Sequence, residues 1–212
     1  MAEFGFKPRK AIAHLRAADP ALAAIIDSVG PFRMELKSSR SVFGALAEAI
    51  VYQQLSNKAA ATIYGRVEAL FPRATDGFTP RHILRTPDGK LRGCGLSRAK
   101  VLAVQDLARR VAGGELPTLD EAHLLDDAQL IERLVQVRGI GRWSAEMFLM
   151  FRLGRPDVLP LDDYSLRKAF ATAFKKRTLP SPQALEKAGE KWRPYRTVAS
   201  WYLWQVLDRG AA

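Results

Sequence analysis

Two clusters within residues 137–167 have the composition of a reaction site. Gly139-Ile140-Gly141 sets two glycines around one apolar residue, between two apolar helical segments. Bare glycine N–H groups, the positive start of the helix opening at Arg142, and the Arg142 guanidinium make a phosphate-sized anion site, with Ser144 in the same first turn. Nothing there reads a base edge, so the expected contact is a sequence-independent one to a nucleic-acid backbone. Asp162-Asp163 follows Pro160 and directly precedes a helix at Tyr164. The helix start keeps a carboxylate there ionised, fit to stabilise a developing cation and orient water. Each cluster also has a plainer reading. A G-x-G suffices for a tight αα turn, and aspartate before a helix is a routine N-cap. Two adjacent carboxylates exceed what capping needs, however, and in a basic protein they would repel bound phosphates unless they had a use.

The elements around these clusters must position them. The segment 142–153 carries Trp143, Met147, Phe148 and Phe151 and is apolar on most faces, which predicts a central buried helix and a rigid mount for the hairpin. The helix entering the hairpin runs through Leu130, Ile131, Leu134 and Val135, capped by Asp126 or Asp127. Ser41 caps a strongly apolar helix, SVFGALAEAIVYQQ, which Gln53-Gln54-Leu55-Ser56 interrupts before a new helix over 57–71. The plain reading of that joint is a polar loop with Leu55 turned into the core. Further helices open at Pro8, Pro20, Pro80, Ser97, Tyr164, Ser181-Pro182 and Tyr195, and Pro87-Asp88-Gly89 reads as a turn. With about ten helices and no alternating strand, the fold class is all-α.

Lys+Arg 33 against Asp+Glu 22 gives a net charge of +11, which favours a polyanionic partner. No stretch is apolar enough for a spanning helix, and the N-terminus, MAEFGFKPRK, lacks the apolar core of a secretory signal. A soluble intracellular protein, cytoplasmic or nucleoid-associated, is expected. The acids of 115–132 read as a solvated surface away from any polyanion. The single cysteine, Cys94, excludes an internal disulfide and a cysteine-ligated cluster.

Residues 134–170 resemble the helix-hairpin-helix DNA glycosylase superfamily, whose signature is an L-x-G-[IV]-G hairpin followed by an aspartate. GIGRWSA together with LPLDDYSLRKAF is most similar to its alkylpurine branch, the 3-methyladenine DNA glycosylase II family in compact form. Ala49-Ile50-Val51-Tyr52-Gln53-Gln54-Leu55-Ser56 and the terminal RPYRTVASWYLW match that branch too. The resemblance implies a single unit over 1–212 with two helical lobes, 41–135 and 1–40 plus 136–212, and an active-site cleft between them. It places Asp163 at the catalytic position with Asp162 beside it. Leu55, or Gln54, becomes the wedge that fills the gap left by a flipped nucleotide. Trp143, Tyr52, Met147 and Trp204 line the base pocket; plain core packing serves Trp201 and Trp204 equally well. Gly139, Gly141, Arg142 and Ser144 hold the DNA backbone, and carbonyls of Val135, Val137 and Ile140 hold a monovalent cation, K+ or Na+. No cofactor is required.

The resemblance implies a monomer acting on double-stranded DNA that carries alkylated bases, with no membrane partner. Bifunctional relatives carry a lysine two positions beyond the second hairpin glycine; here Trp143 stands there, so strand cleavage is not expected. One cysteine cannot ligate the iron–sulfur cluster of other members. The expected reaction is hydrolysis of the N-glycosidic bond of 3-methyladenine- or 7-methylguanine-type bases after base flipping, with Trp143 favouring a cationic base. Two alternatives stay open: a non-catalytic helix-hairpin-helix DNA-binding module, and a glycosylase for oxidised or mismatched bases.

Overall fold

The computed structural model describes residues 4–74 and 77–210. The described residues are all-α, with no strand among them. In chain order the helices are α1 (Pro8–Ala18), α2 (Pro20–Val29), α3 (Val42–Tyr52), α4 (Asn57–Ala69), α5 (Pro80–Arg85), α6 (Asp88–Gly93) and α7 (Arg98–Ala112). They continue with α8 (Leu119–Leu124), α9 (Asp127–Leu134), α10 (Arg142–Phe151), α11 (Tyr164–Ala173), α12 (Pro182–Gly189) and α13 (Arg196–Gly210), with a 3-10 turn at Glu190–Trp192.

The starts of these helices follow from local chemistry. Ser41, Ser56, Ser97, Asp126 and Ser181 each accept the N–H of the third residue of the helix that follows, satisfying a donor that has no partner inside the helix. Two short helices depart from the sequence reading. The expected turn at Pro87-Asp88-Gly89 is instead the opening of α6, drawn into helix by Leu91, which is fully buried. Within the acidic stretch, Thr118 and Glu121 form a reciprocal capping box that starts α8. Much of that acidity is local structure: Glu121 and Asp126 cap helices, and Glu115 pairs with Arg110 at 2.6 Å.

The chain forms two compact units, Ser38–Phe148 and Met1–Lys37 with Leu149–Ala212. In the first, α3 is buried nearly all round through Leu46, Ala47, Ile50 and Val51, and it packs on α4 and α7. Burial of one such side chain, Leu46, contributes about 1.5–3 kcal/mol. Cys94 is buried here and its thiol donates to the Arg66 carbonyl, a structural role. In the second unit α2, α11 and α13 surround Leu15, Leu22, Trp192 and Tyr202, all fully buried. Tyr202 donates its hydroxyl to the Gly30 carbonyl at 3.1 Å. A Cβ at Gly189 would lie 2.6 Å from Leu159 Cδ2, so any larger residue there requires that side chain to shift.

The hairpin at 136–141 belongs with Ser38–Phe148, not with the terminal helices as the sequence division had it. The cause is a set of bonds to α7 and to the α3–α4 joint, described below. Among the described residues no helix is long and apolar enough to cross a membrane.

Candidate active site

In the unit Ser38–Phe148, α9 ends at Leu134, and Val137 and Ile140 turn into the core at 1% and 4% exposure. Ile140 donates its N–H to the Val137 carbonyl at 3.0 Å. Only Gly139 of the two hairpin glycines takes a left-handed conformation, at φ +82°. Gly141 does not, so positive φ is not its reason for being there. A Cβ at Gly141 would meet nothing, which leaves the backbone open to close approach by a ligand. Gly139, Gly141 and Arg142 are exposed and Ser144 is half-buried. The Gly141 carbonyl accepts the first bond of α10, from Ala145 at 3.1 Å, so the opening N–H groups of that helix lie beside the exposed turn. Arg142 donates Nε to the buried Glu146 at 3.0 Å. This pairing steers the guanidinium and tempers its charge.

The joint between α3 and α4 is not the plain polar loop of the sequence reading. Gln54 sits at φ +58°, a conformation few non-glycine residues adopt. Leu55 is 39% exposed rather than turned into the core. An apolar side chain held out on a strained turn suits a wedge, and of the two candidates Leu55 is the apolar one. Trp143 likewise departs from the buried-helix reading. Ala145, Leu149 and Met150 of α10 are fully buried, yet Trp143 is 47% exposed. Tyr52 and Met147 are half-buried.

In the other unit, Asp163 caps α11. Its Oδ1 accepts the Leu166 N–H at 2.5 Å and the Trp204 Nε1–H at 3.3 Å. Trp204 also stacks on Phe151, with ring centroids 6.2 Å apart. The structure therefore gives Trp204 a role that sequence did not specify: its indole N–H orients the carboxylate. Asp162 is exposed. Tyr164, which sequence reasoning passed over, is 63% exposed next to Asp163. A bulky aromatic at the first position of a helix was its one available signal. The capping reading of Asp163 is correct but incomplete, because capping does not require the second donor.

Among the described residues no group of His, Cys, Asp or Glu is placed to hold a metal ion. Backbone carbonyls are a separate case. The Val137 carbonyl accepts Ile140 N–H and keeps a second lone pair.

Residues 47–194 match the family described as HhH-GPD superfamily base excision DNA repair protein. The chain belongs to this superfamily. It is 35% identical over 203 residues to the DNA-3-methyladenine glycosylase 1 of Schizosaccharomyces pombe, covering 93% of this chain and 86% of that protein. A solved structure of the S. pombe 3-methyladenine DNA glycosylase (Mag1) in complex with abasic DNA matches with a TM-score of 0.80, over 92% of this chain and 95% of that one. The DNA-3-methyladenine glycosidase of Bacillus halodurans matches with a TM-score of 0.85 at 35% identity, over 95% of this chain and 90% of that one. Both the hairpin and Asp163 lie inside the span that matches the HhH-GPD superfamily.

Proposed function

We propose that this HhH-GPD protein is a monofunctional DNA glycosylase that hydrolyses the N-glycosidic bond of alkylated purines in base excision repair. The observation that carries the reading is the Asp163 carboxylate, fixed through Oδ1 by Leu166 N–H and Trp204 Nε1–H. A non-catalytic DNA-binding module would use Asp163 as a helix cap but has no need of the second donor, Trp204. Similarity to proteins named 3-methyladenine DNA glycosylases supports the choice of substrate.

The chemistry follows from charge. An N3- or N7-alkylated purine is cationic and departs as a neutral base, taking the electron pair of the C1′–N bond. Asp163 stabilises the oxocarbenium-like sugar left behind, and water attacks C1′, releasing a proton to the carboxylate. The exposed Trp143 face, with Tyr52 and Met147 of the same unit, receives the flipped base by stacking and cation–π attraction. Gly139, Gly141, Arg142 and Ser144 bind the phosphate backbone. A potassium or sodium ion on the carbonyls of Val135, Val137 and Ile140 would add positive charge at that contact. With Trp143 where bifunctional members carry lysine, no Schiff base forms and the strand stays intact.

The decisive measurement is base release by the purified monomeric protein from a panel of lesion duplexes. Methylated DNA should yield abasic sites that break only after alkali. Binding without release from any methylated duplex would favour the non-catalytic module, and release confined to oxidised or mismatched bases would replace the substrate assignment. Leu55→Ala should weaken binding to abasic-site DNA about tenfold, with undamaged duplex binding little changed. Equal losses on both duplexes, measured by fluorescence anisotropy, would make Leu55 a packing residue.

A further inference from the structure

Three residues of α7, Lys100, Ala103 and Asp106, recur at a spacing of three and so share one stripe of the helix. Each meets a different part of the DNA-engaging backbone. Lys100 donates Nζ to the carbonyls of Val51 and Gln53 at 2.6 and 2.8 Å. These are C-terminal carbonyls of α3, where a cation is favoured by the helix dipole. Gln53 in turn donates its side-chain amide to the Gly139 carbonyl at 2.8 Å. Ala103, 4% exposed, is the atom a Cβ on Gly139 would touch, at 3.5 Å. Asp106 accepts the Arg138 N–H at 2.9 Å and is itself held by Arg110 at 3.1 Å.

From this geometry we propose that α7 sets the Leu55 loop and the hairpin in one fixed register, with Lys100 the positioning residue for Leu55. The inference rests on Leu55 being the wedge. Lys100 fixes where α3 ends, and the next residue but one is Gln54 at its positive φ, so the point at which Leu55 leaves the surface depends on the ammonium. Gln53 closes a loop of contacts, from α7 to the joint, from the joint to Gly139, and from Arg138 back to α7. Phosphate capture at the hairpin then places the wedge without a separate adjustment, as pre-organised sites require. Burial pushes the Lys100 pKa down, in keeping with a side chain drawn onto carbonyls rather than left to meet phosphates.

Lys100→Met keeps the aliphatic stem and removes the donors. Its affinity for abasic-site duplex should fall about tenfold while affinity for undamaged duplex changes less than about twofold. Because Lys100 acts through Leu55, the double variant Lys100→Met/Leu55→Ala should lose no more than Leu55→Ala alone. A reduced undamaged affinity with a shallower salt dependence would overturn the proposal by making Lys100 a direct phosphate contact. Additive losses in the double variant would overturn it as well. If Leu55→Ala itself leaves the abasic-to-undamaged ratio unchanged, the wedge reading has failed; if that ratio falls for Leu55→Ala but not for Lys100→Met, only the positioning role has failed. Should Lys100→Met not fold, Gln53→Leu tests the other arm: it keeps the carbonyls on Lys100 and removes only the bond to Gly139. The same selective loss is expected, and an unchanged ratio would overturn the fixed register.

Discussion

Asp163→Asn is expected to lower single-turnover base release from 3-methyladenine duplex by about a thousandfold, while the protein stays folded and binds abasic-site DNA. Asparagine caps a helix as well as aspartate does, and its amide oxygen can keep both observed donors, Leu166 N–H at 2.5 Å and Trp204 Nε1–H at 3.3 Å. What the substitution deletes is the negative charge that the proposed mechanism uses to stabilise the sugar cation and take the water's proton. Asp162→Asn is the matched control. Asp162 is exposed, so its loss should leave most activity intact. Excision by folded Asp163→Asn within about tenfold of the unaltered protein would remove the catalytic assignment, because electrostatic stabilisation of this kind accounts for more than one order of magnitude.

The contrast between those two aspartates marks how far the sequence could be read. Helix starts were legible because a cap is a local event: Ser41, Ser97 and Asp163 bond to an N–H three residues on. The same logic applies at Thr118-Leu119-Asp120-Glu121, where a capping box lies inside a run of mostly exposed acids and starts a helix that the solvated-surface reading omits. Partnerships between distant segments leave no such local trace. Periodicity made Trp143 part of a buried face, yet it projects into solvent at 47% exposure, since period alone does not show where a helix outruns its neighbours. Pattern alone turns Leu55 into the core for the same reason, and only the resemblance sets it out as a wedge. Its exposure depends on Gln54 at positive φ and on Lys100, which lies on a different helix. Trp204 reads from sequence as pocket lining or core, and its bond to Asp163, which joins residues 41 apart in the chain, leaves no local trace. The hairpin and the acidic pair were visible as chemistry; the residues that aim them were not.

The other large effect expected is on stability, at Asp19, the residue directly before the helix that opens at Pro20. Its N–H closes α1 on Leu15 O at 3.1 Å, and its Oδ1 caps α2 by accepting from Ala21 and Leu22. Oδ2 accepts Trp192 Nε1–H at 2.8 Å and pairs with Lys191 at 2.9 Å, all with Asp19 1% exposed. Asp19→Ala removes the cap and leaves the Trp192 N–H without its acceptor, while Lys191, 47% exposed, stays hydrated. A cap is worth about 1 kcal/mol, and leaving the fully buried Trp192 N–H without an acceptor costs about 1–3 kcal/mol. Because the losses share one side chain they do not sum, and about 3 kcal/mol is expected, equivalent to roughly 9 °C in Tm for a chain of this size.

The pH dependence gives an independent signature. Burial pushes the Asp19 carboxyl up, but the bonds from Trp192, Lys191 and Leu22, with the Lys191 charge, outweigh it and hold the group below its ordinary value of 3.8. A depressed folded pKa means that the unfolded chain takes up the proton first. The stabilisation is therefore fully present above the unfolded value and drains away as pH falls from about 3.8 toward the folded value. In urea unfolding, the gap between the unaltered protein and Asp19→Ala should narrow over that interval and stay constant between about pH 5 and 7. A gap that ignores pH would mean that the capping and packing of Asp19 matter but its charge does not. The same compact unit carries Asp163 and Trp204, and α2 packs on α13, the helix that supplies the Trp204 indole. Loss of Asp19 should thus reach base release by an indirect route, lowering the temperature at which activity collapses while leaving kcat unchanged well below it.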